Sequence, residues 1–227
     1  MLKKISLGLI LGTLLILFST PQQVVRADQL ESRATIKLHP ESPTKPVDPV
    51  DPNNPDQEYP GDETDDGNQG TGTVASLSLD YVSNFHFQTE TKQTNVTAPL
   101  TNQLAMVQVS DRRGTGAGWV LQLKPDALVG RATQAVLNHG ELILGNLTLK
   151  APSSNVSDRP QIITKKISLG AYNNVMRANN GQGLGTWVLG FPKNQQNPTK
   201  LILNNLNDAP ADHYFGVLNW SLTDTPN

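Results

Sequence analysis

A turn of charges and glycines, Ser110-Asp111-Arg112-Arg113-Gly114-Thr115-Gly116-Ala117-Gly118, runs straight into the alternating apolar stretch Trp119-Val120-Leu121-Gln122-Leu123. The glycines permit positive φ or a close backbone approach, and the alternation delivers Trp119 to a fixed place on a strand. The order returns in Gly183-Leu184-Gly185-Thr186-Trp187-Val188-Leu189, which sets Trp187 68 residues after Trp119, and Asn219-Trp220-Ser221-Leu222 repeats Trp-x-Leu again. All three tryptophans of the chain thus stand two residues before a leucine: Leu121, Leu189 and Leu222. In a strand, residues i and i+2 share a face, so each pair lays an indole beside a branched aliphatic. Such a surface has two uses: the core face of a β-sandwich, or an indole offered to a sugar or peptide beside the glycine turn.

Sequence character changes sharply along the 227 residues. Residues 28–73 carry eleven Asp/Glu against three Lys/Arg, a balance of −8, whereas residues 74–227 carry nine against twelve, a balance of +3. A surplus of that size suits anionic wall polymers and is too small to argue for nucleic acid. With no cysteine anywhere, disulfides, thiolate metal sites and lipidated cysteines are excluded. Stability must come from a packed core, which about 150 residues can supply.

The chain opens with Met1-Leu2-Lys3-Lys4, an apolar run from Ile5 to Phe18, and Val25-Arg26-Ala27 before Asp28. That is the pattern of a secretory signal peptide over residues 1–27, its apolar run short of the roughly 20 residues of a spanning helix. Export without a remaining membrane span is the expectation. From Pro40 to Pro55 prolines recur at every third position, which predicts a polyproline II spacer reaching roughly 65 Å by residue 60. The acidic, glycine-punctuated run behind it lacks the ligand order of a calcium loop, and residues 28–73 read as a disordered linker. Beyond Val74, short alternating stretches begin at Leu77, Leu104, Trp119, Leu142, Ile167, Trp187, Leu201 and Tyr214, separated by Gly, Pro and Asn. They predict an all-β, Ig-like β-sandwich over residues 74–227. Pro125 to His139 fits a short helix or a turn equally well.

Local catalytic patterns are missing, and only a pair of carboxylates distant in the chain, as glycoside hydrolysis uses, stays open. His39, His86, His139 and His213 are scattered without metal-ligand spacing, and the chain has neither a Gly-x-Ser-x-Gly elbow nor a phosphate loop. The expectation is a non-enzyme with no metal and no cofactor. Asp111, Arg112 and Arg113 with Gly114, Gly116 and Gly118 form the most chemical-looking cluster. It either presents N–H groups and a guanidinium to a ligand anion, or holds an internal Asp–Arg pair that pins the turn.

These residues carry a family likeness. The chain resembles the WxL-domain cell-surface proteins of low-GC Gram-positive bacteria. Tyr214, Leu218, Trp220, Leu222 and Pro226 fall on the family's terminal pattern, with Asn219 in place of its Thr. The Val109 to Leu123 segment is similar to the block around its first Trp-x-Leu. Leu77 to Phe87 is similar to the opening strand, with Ser83 and Gln88 departing from the usual Pro and Gly. The resemblance implies a secreted protein held non-covalently at the cell wall, peptidoglycan as the usual ligand, other surface proteins encoded nearby as partners, and no catalysis. It casts the Trp and Leu motif residues as mainly structural. An adhesin or assembly subunit, touching the wall only through another surface protein, is the alternative.

Overall fold

The computed structural model describes residues 35–37, 42–89, 93–193 and 196–224. The signal peptide expectation and Pro226 lie outside them. Every element belongs to the second of two units, Leu38–Asn227. In chain order the strands are β1 (Leu77–Val82), β2 (Val96–Pro99), β3 (Met106–Asp111), β4 (Trp119–Pro125), β5 (Leu128–Gly130), β6 (Val136–Leu137), β7 (Gly140–Ile143) and β8 (Thr148–Lys150). There follow β9 (Gln161–Ile162), β10 (Lys166–Ser168), β11 (Asn173–Ala178), β12 (Gly185–Gly190), β13 (Lys200–Leu203), β14 (Tyr214–Phe215) and β15 (Leu218–Thr223). No α-helix occurs among the described residues, and the ambiguous 125–139 stretch becomes β5, a turn and β6.

Sheet I has the order β1-β3-β12-β8 and sheet II the order β15-β4-β11-β9; sheet III is β10-β7-β13-β2 and sheet IV β14-β5-β6. Pairing between named strands is antiparallel throughout, so each strand offers alternate side chains to opposite faces. The inner residues of sheets I and II meet in one cluster: Val107 and Val109 of β3 and Trp187 and Leu189 of β12, against Trp119, Leu121 and Leu123 of β4 and Val175 and Met176 of β11. This is the expected sandwich. Burying each of these large side chains contributes about 1.5–3 kcal/mol. Val96, Ala98, Leu201 and Leu203 build a second cluster on sheet III.

Strand β3 is buried along its whole length, including the polar Gln108 and Ser110. A sheet facing water on one side would expose alternate residues, so something covers the outer face of sheet I. The cover is the acidic, proline-rich segment. Val50 and Tyr59 pack on Tyr81, Met106 and Val188, with the rings of Tyr59 and Tyr81 edge to face at 5.0 Å. Gln108 binds the segment as another strand would: its Oε1 accepts from Val50 N–H at 2.9 Å and its Nε2 donates to the Asp48 carbonyl at 3.1 Å. Asp80 accepts from Gln108 Nε2 and from the hydroxyls of Ser110 and Ser78. Burial still pushes its carboxyl above the ordinary range.

The disordered linker expected over residues 28–73 is therefore corrected for 48–71. The chain turns back on itself, with Val50 bridged to Glu58 and Tyr59 N–H bonded to the Pro49 carbonyl at 3.0 Å, so no continuous polyproline spacer runs through it. Two physical reasons stand out. Each proline lacks the N–H that burial would have to satisfy, and Asp51, Asp56, Asp62 and Asp65 accept from backbone N–H groups rather than standing as solvated charges. Asp62 takes Leu104 N–H at 2.8 Å and caps a single 3-10 turn, Glu63–Asp65, through Thr64 N–H at 3.0 Å. Asp65 accepts from Asn84 N–H at 3.0 Å and from Asn68 Nδ2 at 2.8 Å.

Asp62→Ala leaves the Leu104 N–H without its acceptor and should lower stability by about 2 kcal/mol in urea denaturation. Burial raises the Asp62 pKa, but bonds from Thr64, Leu104 and Asn102 outweigh it and the net shift is downward. A folded value below the unfolded one means stabilisation present above the ordinary carboxylate range and lost as pH falls through the lowered value. Protection of the Tyr59 and Leu104 amides, measured against their intrinsic exchange rates, should thus fall below about pH 4.

Candidate functional site

Strand β3 hands its last residue, Asp111, to the glycine turn, and the Asp111 carboxylate is 1% exposed. Arg113 folds back on it as a fork, Nε to Oδ1 at 3.0 Å and Nη2 to Oδ2 at 2.8 Å, while Arg113 N–H reaches Oδ1 at 3.1 Å. The same Nη2 donates to the Gly118 carbonyl at 2.8 Å, which closes the turn. The Asp111 hydrogen bond, against an opposing effect of burial, holds the Arg113 pKa above its ordinary value. Arg112 points elsewhere: its N–H donates to Ser76 at 2.6 Å and its Nη2 to the carbonyls of Ala75 at 2.9 Å and Lys45 at 3.3 Å. The six residues singled out in this turn are brought together, with both guanidinium groups bonded inside the chain and Gly114 and Thr115 at the exposed tip.

The two Gly-x-Gly blocks interlock. Gly181 N–H donates to the Gly116 carbonyl at 2.7 Å, and Trp119 Nε1 donates to the Gly183 carbonyl at 3.0 Å. Gly183 has φ +75°, and a Cβ there would press on the Ala178 methyl and stand 2.8 Å from the Trp119 indole nitrogen. Gly118, at φ +79°, lies so close to the Ala178 carbonyl that a side chain would strike it. Trp187 repeats the device, its Nε1 donating to the Leu184 carbonyl at 3.0 Å.

Trp119, Leu121, Trp187 and Leu189 are all buried. For these two motifs the core use of the Trp-x-Leu surface is the one realised. The third differs. Leu218, Trp220 and Leu222 of β15 are half-buried, packed against the main cluster from the edge of sheet II. Tyr214 lies in β14 with its hydroxyl on the Pro210 carbonyl at 2.7 Å.

Beside the joined turns an open groove of about 650 Å³ runs between residues 152–158 and 181–186. Its walls are tied: Asn155 Nδ2 donates to the Thr186 carbonyl at 3.2 Å, Ser157 N–H to Asn155 Oδ1 at 3.0 Å, and Leu184 N–H to Ser157 Oγ at 3.0 Å. Val156 stands 98% exposed at its mouth. The sequence carries no signal for this groove, because its two walls lie about thirty residues apart and neither holds a charged cluster. A smaller cavity of about 160 Å³ marks the seam where Pro52 and Asn53 meet Gly190 and Phe191.

A model of the family described as the surface cell wall-binding WxL domain matches residues 25–226. This chain belongs to the WxL family. The WxL domain is a cell wall-binding domain of the cell surface, which places the protein at the wall. The match takes in the folded acidic segment as well as the strands that follow. No curated protein and no solved structure matches the chain.

Arg113→Ala strands the buried Asp111 carboxylate and should cost about 3 kcal/mol in stability, so it reports on folding before binding. Gly183→Ala adds a disfavoured left-handed backbone to a clash with the Trp119 indole and should lower stability by about 2–4 kcal/mol. Thermal and urea denaturation of each variant check both values.

Proposed function

We propose that this WxL protein is an exported, non-enzymatic anchor that holds to peptidoglycan by reversible contacts, with the groove beside the glycine turns as the recognition surface. The observation carrying this reading is the groove itself: hydroxyl and amide groups, suited to the hydroxyl and acetamido groups of a glycan and joined by the single carboxylate of Asp158, held in place by bonds formed before any ligand arrives. Preordered groups lose little entropy on binding. The Asp111 to Gly118 turn supports the groove from behind through Gly116 and Gly181, and its exposed Gly114–Thr115 tip completes the candidate ligand side.

A second reading, assembly with another surface protein, draws on strand β15. It is six residues long, uncharged, and lies at the edge of sheet II. Asp126 N–H bonds the Val217 carbonyl; alternation along the ladder then turns the N–H and C=O groups of Leu218, Trp220 and Leu222 toward the open edge. Long uncharged edges accept a further strand.

Purified protein-free peptidoglycan and wall that retains its proteins separate the two readings in sedimentation assays. Binding to the bare polymer is expected, and Val156→Glu, at an exposed position that leaves the core untouched, should weaken it at least tenfold. Retention only on protein-bearing wall would favour the assembly reading. Undiminished binding by Val156→Glu would remove the groove from the account.

A further inference from the structure

The two outer faces of the sandwich carry opposite chemistry. Sheet I is covered by residues 48–66, which hold eight acids and no base. The outer side of sheet II is partly exposed, with Val120 buried and Gln122, Lys124, Asn174 and Arg177 at intermediate exposure, and the ladder registers show what that side presents. One row runs Thr223, Val120, Arg177, Gln161 across β15, β4, β11 and β9; the next runs Ser221, Gln122, Asn174; the third pairs Asn219 with Lys124. These side chains alternate with Trp119, Leu121, Leu123 and Trp220, which point the other way into the core.

Most of this face is already ordered. Gln122 Nε2 donates to Asn174 Oδ1 at 2.8 Å, and Lys124 lies 5.5 Å over the half-exposed ring of Tyr172. Asp126, the acid at this end, is held by Lys124 at 3.2 Å and by Asn219 Nδ2 at 2.9 Å. Arg177 is different. It sits mid-sheet, its guanidinium without a hydrogen-bond or ion-pair partner among the described residues and its Nε shut off from water without an acceptor. The two Nη groups beyond it are not enclosed in this way, and together they offer a carboxylate a fork of donors.

We propose that the outer face of sheet II is a binding surface for a carboxylate-bearing stretch of wall polymer, with Arg177 taking the carboxylate and the Gln122, Asn174 and Ser221 groups meeting the polar atoms on either side of it. The inference rests on the wall-binding reading above and gives it a second contact. The path between the two contacts is short along the chain. Asp158 on the groove wall bridges to Gln182, Arg159 follows it exposed, and Gln161 pairs with Arg177. The Asp158 carboxylate repels an anion in the groove, so the polymer's carboxylate lies at the Arg177 end. With the acids gathered on sheet I, the charge of sheet II matches an anionic occupant.

The test uses the mature chain and soluble peptidoglycan fragments with free stem carboxylates, beside the same fragments with those carboxylates amidated and a phosphate-bearing wall polymer. Arg177→Met keeps the aliphatic stem over the sheet, and circular dichroism and melting verify its fold; Arg177→Lys restores the charge without the fork. At low salt, wild type should bind the free-carboxylate fragments at least tenfold better than the amidated ones. Arg177→Met should lose that difference, and Arg177→Lys should regain part of it. Equal binding of both fragments by wild type, an unaffected Arg177→Met, or a preference for the phosphate polymer would overturn the carboxylate site while leaving the wall-binding reading intact. No binding of any fragment by wild type would overturn that reading and this inference together.

Discussion

The fold depends on the Trp119 indole being buried without losing its hydrogen bond. An indole carries one donor, and burying it unsatisfied would undo much of what its area contributes. The Gly183 carbonyl supplies the acceptor, and reaches it because Gly183 has no side chain to stand in the way. That single bond links β4 of sheet II to the turn that leads into β12 of sheet I. The repeated Gly-x-Gly before Trp is thus one device used twice, each copy completing the other: one turn offers a carbonyl to its counterpart's N–H, the other a carbonyl to its counterpart's indole.

Sheet I shows the opposite problem, a strand buried on both sides with polar residues on one of them. Gln108 and Ser110 are tolerated in β3 because Asp80, Thr186 and the backbone of residues 48–50 answer each of their polar atoms. The acidic segment therefore belongs to the core of the protein as much as the strands do. It also closes the outer edge of β1, where Thr71 N–H takes the Asp80 carbonyl and Asn68 Nδ2 the Val82 carbonyl. No such cover lies over strand β15 among the described residues, and the last Trp-x-Leu motif alone stays half-exposed.

Much of this was legible in the residues. Period two from Leu77, Leu104, Trp119 and Trp187 marks strands whose alternate residues do enter the core, and the sandwich follows from their number and spacing. The acidic segment was not legible, since proline and aspartate read as solvated wherever their partners are invisible. The anchors Tyr59 and Asp62 bond or pack against Leu104 and Tyr81, tens of residues away. At the glycine turn the sequence left two roles for Asp111 and Arg113, and the geometry assigns the pair to internal closure. Arg177 carried no motif at all. Its guanidinium has no hydrogen-bond or ion-pair partner among the described residues, on a face that only the ladder registers define.

Strand β15 joins sheet II by pairing with β4, and Asn219 meets Lys124 from 95 positions further along the chain. Contacts of such sequence separation close slowly, because loop entropy must be overcome before they reward the chain. The second sheet stays one strand short until the residues from 218 onward have been synthesised. Until that strand docks, β4 keeps a free edge and the sandwich is incomplete.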